Sequence, residues 1–263
     1  MLETTFDLSV VIPARNEAGC VGQTLDNVAM VFASFWTRVE TIVVDDHSTD
    51  KTAEIARDHG ARVVDNPDLP GYGAAVKAGL RHAHGEYVVV MVADGSDSGE
   101  DLVQMYERAS RFKCDAVFGS RFIPGATTTG YPPVKRIANR LGNKLVTRLV
   151  SSDYGDWTNP FKIYRRSIVG AVLDKCEAND FSFGMELAIR AYRSGHLKTI
   201  RIVPTHWKDR TVGTSKFKVK HALMFLRTLY RLTLSQRSRD DLNSCFGIMV
   251  LFVGIVFAYF AVR

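Results

Sequence analysis

Over residues 1–120 short apolar runs alternate with amphipathic stretches. Residues 8–12 (LSVVI) are apolar and stop at Pro13, the pattern of a buried strand. Val21, Leu25, Val28, Phe32 and Phe35 then recur at helical spacing, which predicts a helix with one apolar face. Residues 40–44 (ETIVV), 61–64, 87–92 (YVVVMV) and 116–118 predict further strands. Between them, residues 52–59, 73–84 and 100–112 predict helices, the first two closed by Gly60 and Gly85. This alternation predicts an α/β fold with a parallel, doubly wound sheet.

The second half is less regular. Residues 122–133 hold turn signals and three consecutive threonines and read as a loop. Residues 134–150 predict a basic helix, 155–160 a loop, 183–193 a helix, 199–203 a strand and 209–215 a polar loop. Residues 221–234 place Leu223, Phe225, Leu226, Leu229 and Tyr230 beside Arg227 and Arg231, which suits a membrane-interface helix or an ordinary core-packing one. Residues 245–262 are 18 uncharged residues, long enough for a transmembrane helix. Arg227, Arg231, Arg237 and Arg239 precede that segment and only Arg263 follows, which places the body of the chain on the cytoplasmic face. The pattern thus divides the chain into a catalytic-sized body (1–220), an amphipathic helix with linker (221–244) and one membrane helix (245–263).

Composition narrows the partners. Apolar residues make up 46% of the 263, enough to build a core, and the net charge of +6 favours anionic ligands or a membrane surface. The basic residues are dispersed and acid-rich loops sit at strand ends, which argues against nucleic acid. Cys20, Cys114, Cys176 and Cys245 lack metal-ligand spacing and read as reduced thiols. No charged region followed by an apolar run opens the chain, so no secretory signal is expected.

In doubly wound sheets ligands bind beyond the carboxyl ends of the strands. The polar residues there are Arg15-Asn16-Glu17, Asp45-Asp46 and the segment Asp94-Gly95-Ser96-Asp97. Two carboxylates and a hydroxyl in one tight turn suit a hard divalent cation, and also suit an ordinary Asp-Gly turn. Asp46 is placed to accept hydrogen bonds from a base or ribose, while Ser48 or Asp50 caps the next helix. Gly71-Tyr72-Gly73 lacks the third glycine of a dinucleotide fingerprint and reads as a turn leading into a helix.

Taken in order, LSVVIPARNEA, TIVVDDHSTDKTAEIA, GYGAAVKAGLRHAHGEYVVVMVADGSD and FGSRF strongly resemble the family 2 inverting glycosyltransferases of the GT-A fold. Within them the chain looks most like dolichol-phosphate mannose synthases and related polyprenyl-phosphate glycosyltransferases. The resemblance runs over residues 7–220 and is more specific for the superfamily than for the lipid-phosphate branch. It implies transfer of a hexose, mannose foremost, from GDP-mannose or a UDP-hexose to dolichyl or polyprenyl phosphate, with Mg²⁺ or Mn²⁺ as cofactor. A different glycan acceptor, or a weakly catalytic scaffold that binds a nucleotide-sugar beside a membrane partner, are the alternatives; the Q/RxxRW signature of polymerising relatives is absent. The chain is expected at the membrane, as a homo-oligomer or with a membrane subunit.

The resemblance also implies roles. Pro13, Arg15 and Glu17 line the nucleotide pocket, with Arg15 where the family often has Tyr, and Val44 and Asp46 meet base and ribose. Ala93 and Asp94 sit at the diphosphate and metal, and Arg121 reaches the donor. Arg210, Gly213, Ser215 and Lys216 match an RxxGxSK loop whose Arg and Lys clamp the diphosphate. Val92 stands where the family carries a first Asp and Ser96 where it carries Gln, so the metal is centred on Asp94 with Ser96 and Asp97 as supports. Lys135, Arg136 and Asn139 match the acceptor-phosphate stretch and equally suit a solvated basic helix face; Asp156 is expected to orient the cations or the sugar, with Asn159 beside it, and Glu186 matches a carboxylate near the acceptor or is a salt-bridged helix residue.

Overall fold

The computed structural model describes residues 6–150, 154–210, 219–233 and 254. Lys216, Gly213 and Ser215 lie outside the described residues, as does the apolar segment 245–263 apart from Gly254. Among the described residues no helix is long and apolar enough to cross a membrane.

A seven-stranded sheet forms the centre. Its first half is built from β1 (Phe6–Ala14), β2 (Val39–Asp45), β3 (Arg62–Asp65) and β4 (Gly85–Val90), all parallel. Strand β5 (Ala116–Ser120) and strand β8 (Ile200–Pro204) are also parallel to each other. Between β4 and β5 lies β7 (Lys162–Arg165), antiparallel to both, so the order is β3-β2-β1-β4-β7-β5-β8. The sheet is therefore mostly, not wholly, parallel. β7 starts at the edge where its neighbours end, which brings residues 154–161 to the ligand-binding side.

Side chains alternate across the sheet, as strand geometry requires. Leu8, Val10 and Ile12 face one core with α1 (Val21–Phe32), α2 (Thr52–Asp58) and α4 (Gly99–Arg111). Val11, Ile42, Val44 and Phe118 face the other core. That core holds α3 (Tyr72–Arg81), α5 (Pro133–Val150), α6 (Arg166–Val172), α7 (Phe183–Arg193) and α8 (Val219–Thr233). From β1 the chain goes on to β2 and from β4 to β5, on opposite sides of the β1–β4 pair, so the strand order reverses there and the ends of these two strands form the switch point where a ligand fits.

Two segments differ from the sequence reading. The threonine-rich stretch is held, not loose: Thr127–Thr129 forms β6, paired in parallel with β9 (His206–Lys208). Three β-branched residues suit a strand, and the surrounding turn signals masked it. α8 buries Ala222, Phe225 and Leu229 but leaves Leu223, Met224 and Tyr230 exposed, so its inner face packs on the core as the core-packing reading expects. Its inner side is pinned by charge. Fully buried Glu186 on α7 accepts hydrogen bonds from the Glu177 and Ala178 N–H groups and forms ion pairs with Arg190 at 2.8 Å and Arg231 of α8 at 2.9 Å. Glu186 is thus a helix clamp and does not line the cavity described below. Cys20, Cys114 and Cys176 are buried and form no disulfide among the described residues.

Candidate active site

The loops after β1 and β2 are tied to each other by side chains. Asn16 N–H donates to Ser48 Oγ at 3.0 Å, Glu17 N–H to Thr52 Oγ1 at 2.8 Å, and Thr49 N–H to Asn16 Oδ1 at 2.7 Å. Asp46 is buried and accepts from Asn66 Nδ2 at 2.7 Å and Gly71 N–H at 3.0 Å. Pro13 and Val44 are buried, register-paired neighbours beneath this wall, and Arg15 is exposed above it.

Beyond β4 the chain turns at Gly95, whose φ of +72° lies in the left-handed region glycine favours. Asp94 Oδ1 accepts from Ser96 N–H at 3.1 Å, and its other oxygen pairs with Arg210. Arg210 also lies 3.6 Å from Glu17, so the two loops meet across its guanidinium. Ala93 is buried, its carbonyl accepting from Thr24 Oγ1 at 3.0 Å. Asp97 turns inward and accepts from Val92 N–H at 3.1 Å. Burial pushes its carboxyl up to about 7, against the opposing pull of that N–H. Among the described residues no three His, Cys, Asp or Glu side chains converge as a preformed metal site.

Arg121 follows β5. Its backbone N–H, Nε and Nη2 donate to Asp156 at 2.8, 2.9 and 2.7 Å, and Nη2 also reaches Thr158 Oγ1 at 3.1 Å. Burial works against the guanidinium charge, but Asp156 more than offsets it and raises the pKa. The guanidinium is therefore directed at Asp156, rather than reaching freely for a donor. Asn143 extends the network, donating to Asp156 at 3.3 Å, Thr158 at 3.0 Å and Asn139 Oδ1 at 2.6 Å. Asn139 in turn donates to Tyr131 Oη at 2.8 Å. Loop 154–161, α5 and the β5 end are thus one hydrogen-bonded unit.

A cavity of about 260 Å³ opens against these groups. Its polar end carries Asp94, Ser96, Asp97, Arg121, Lys135 and Asn139. Apolar side chains of Ala138, Pro160, Phe181, Met185, Ala222 and Phe225 make up much of the remaining lining. Lys135 of the polar end lies 5.7 Å from the Tyr131 ring centre, and burial lowers its pKa. Of the expected acceptor residues, Arg136 is not brought to the cavity. Lys135, Ala138, Asn139 and Gly142 share the helix face that lines it, and Arg136 points to solvent on another face. Pro13, Arg15, Glu17, Val44, Asp46, Ala93 and Arg210 border the strand ends without lining this cavity.

Lys162, at the start of β7, is fully buried beneath the loop. Its ammonium donates to the Trp157 carbonyl at 3.2 Å and to the Asn159 carbonyl, between the rings of Phe118 and Tyr154. Burial brings its pKa down to about 7, whereas an unfolded lysine keeps its proton to about 10.4. Between those values the unfolded chain binds more protons than the fold. The contribution of Lys162 to stability should therefore rise with pH through that window, by up to about 1.4 kcal/mol per pH unit, and be flat below it. Lys162→Met should abolish the rise. Urea midpoints of both chains at about pH 7 and about pH 9 check this.

A family model for glycosyl transferase family 2 matches residues 9–173. The chain belongs to glycosyl transferase family 2. It is a glycosyltransferase, with the GT-A fold. The family match carries the β1, β2 and β4 loops and the 154–161 loop; Arg210, α7 and α8 lie beyond it.

Glycosyltransferase AglD of Haloferax volcanii is 27% identical over 256 residues, covering 93% of this chain and 40% of that protein. Dodecaprenyl-phosphate galacturonate synthase of Rhizobium johnstonii is 27% identical over 259 residues, covering 95% of this chain and 73% of that protein. The chain thus spans less than half of the first relative and about three quarters of the second. Glucosyl-3-phosphoglycerate synthase of Mycobacterium tuberculosis has been solved with Mn²⁺, uridine diphosphate and glucosyl-3-phosphoglycerate. Its structure matches this family 2 fold with a TM-score of 0.68 at 20% identity, over 87% of this chain and 80% of that one.

Proposed function

We propose that this glycosyltransferase moves a hexose from a nucleotide-sugar to a polyprenyl-type lipid phosphate at a membrane surface. One observation carries the reading: a single cavity is lined both by Asp94 and Lys135 and by apolar side chains of α5, α7 and α8. A lipid phosphate has the matching halves, an anion and an isoprenoid tail. The relative named dodecaprenyl-phosphate galacturonate synthase supports the same acceptor class. Exposed Val134 and Ile137 on α5, with Leu223 and Met224 on α8, suit contact with a bilayer.

On this reading the nucleotide lies along the Asp46 and Glu17 loops, and its diphosphate reaches Asp94 and Arg210. Asp94 offers one hard carboxylate oxygen, and a small divalent cation typically combines one or two carboxylates with substrate phosphates. That donor set fits an ion entering with the diphosphate, and Asp97, buried and already accepting from Val92 N–H, is a weaker second donor. Bound there, Mg²⁺ or Mn²⁺ would neutralise the departing diphosphate. Arg210 adds a cation on the same side.

Lys135 holds the acceptor phosphate. A phosphate oxygen attacks the anomeric carbon, the bond to the nucleoside diphosphate breaks, and the configuration inverts. The nucleophile is already an anion, so no strong general base is needed. Arg121, fixed by Asp156, lends positive potential to the wall between the two substrates.

The acceptor assignment is tested with undecaprenyl phosphate, undecaprenol and glycerol 3-phosphate as acceptors. The lipid phosphate alone should be glycosylated efficiently, and Lys135→Met should raise its KM about tenfold or more. Equal transfer to glycerol 3-phosphate would remove the lipid from the account.

A further inference from the structure

The turn Gly71-Tyr72-Gly73 carries no recognisable nucleotide fingerprint, yet the structure gives each residue a role. A Cβ on Gly71 would lie 2.4 Å from the Asn179 carbonyl oxygen, and one on Gly73 would lie 2.6 Å from that of Ala178. Two glycines therefore let the turn rest directly on the 178–179 backbone, where Gly73 N–H donates to the Asn179 carbonyl at 3.0 Å. This close approach brings Tyr72 onto Phe181, their rings stacked with centres 5.0 Å apart. Phe181 meets His221 of α8 edge-on at 4.9 Å. The Tyr72 ring is thus fixed between the start of α3 and the α7–α8 side of the site.

The hydroxyl of that ring is buried and has no hydrogen-bond partner among the described residues. Such atoms are rare, because an unpaired buried donor forfeits its hydration. Asn27, Trp157, Tyr164 and Thr205 carry others, but none of these residues lines the large cavity, and Tyr72 does. It lines that cavity together with Asp94 and Asp97, near enough for both charges to act on it. Burial, and then the charges of Asp97 and Asp94, raise its pKa, so the phenol keeps its proton and stays a donor.

We propose that Tyr72 reads the transferred sugar, its phenol donating a hydrogen bond to a hydroxyl of the hexose held between Asp94 and Lys135. This rests on the nucleotide-sugar reading above and makes Tyr72 a specificity residue. The hexose is the substrate part that places neutral hydroxyl acceptors in this stretch of the cavity. The isoprenoid tail has none, and the ribose belongs beside Asp46. A pocket group that bonds a substrate hydroxyl discriminates strongly against an analogue lacking it, because the group is then left unpaired.

Tyr72→Phe in the full chain keeps the ring and its stacking and removes only the hydroxyl. Calorimetry with Mn²⁺ compares UDP-glucose and GDP-mannose with UDP and GDP. The nucleotide-sugar that the wild type prefers should bind about tenfold more weakly to the variant, while the bare nucleotide binds equally to both. Monodeoxy versions of that donor give a second readout, independent of any change in stability. One of them should bind the wild type about tenfold more weakly than the parent, and Tyr72→Phe should not distinguish the two. Unchanged donor affinity, or an equal loss for the bare nucleotide, would overturn the assignment to the sugar. A wild type that binds none of the four ligands would instead overturn the nucleotide-sugar reading and this inference with it.

Discussion

Asp94→Asn is expected to lower the transfer rate by about 10³-fold while leaving the fold intact. Removing one preorganised electrostatic stabiliser of a developing charge costs roughly 10²–10³ in rate, and here the same change also removes the hard carboxylate donor. Asparagine keeps the local geometry. Its side-chain carbonyl can still accept the Ser96 N–H that Asp94 Oδ1 accepts now at 3.1 Å. The positive φ at Gly95 is untouched. Arg210 loses its partner on Asp94 but keeps Glu17, 3.6 Å away, so it is not left as an isolated buried charge. The loss should fall on kcat more than on KM if Asp94 acts mainly in the transition state. Steady-state rates with matched circular dichroism spectra check this. A variant within tenfold of wild type would remove Asp94 from the chemistry.

Asp156→Ala is expected to be the most destabilising single change at the site, by roughly 3–5 kcal/mol. The carboxylate is fully buried and receives three hydrogen bonds from Arg121, whose side chain is 9% exposed. Truncating it strands a guanidinium in the interior with Thr158 as its remaining described side-chain acceptor. The Asn143 bond to Asp156 is lost as well. A change of that size lowers Tm by about 10 °C in a chain of this length. Removing both charges in Arg121→Met/Asp156→Ala should recover part of the loss, since the uncompensated charge is gone. Thermal and urea unfolding of the four chains measure the coupling. A loss under about 1 kcal/mol in Asp156→Ala would mean that the pair does not hold the loop.

The donor side was legible in the sequence because its chemistry sits at the carboxyl ends of regular strands. The apolar runs before Arg15, Asp46 and Asp94 marked those ends, and the parallel sheet brings them to one edge. The acceptor side was harder to read. β7 is four residues long, and a fully buried Lys162 disguises it as exposed chain. Its reversed direction could not be told from local pattern, yet it is what delivers Asp156 and Asn159 to the site. Glu186 matched a carboxylate expected near the acceptor, but its environment is set by Arg190 and by Arg231, 45 positions away, through tertiary packing alone. Arg136 and Lys135 are adjacent in sequence but lie about 100° apart around a helix, so one basic run divides between cavity and solvent. Tyr72 carried a signal, a tyrosine between two glycines, whose meaning depended on the 178–179 backbone beneath it.

The most direct test of the central claim is product formation by the full chain with a nucleotide-sugar, Mn²⁺ and undecaprenyl phosphate. The account predicts equal amounts of nucleoside diphosphate and undecaprenyl-phosphate-linked sugar of inverted configuration. Both should vanish on chelation of the metal and form about 10³-fold more slowly in Asp94→Asn. Sugar transfer that persists undiminished without the metal and in Asp94→Asn would contradict it.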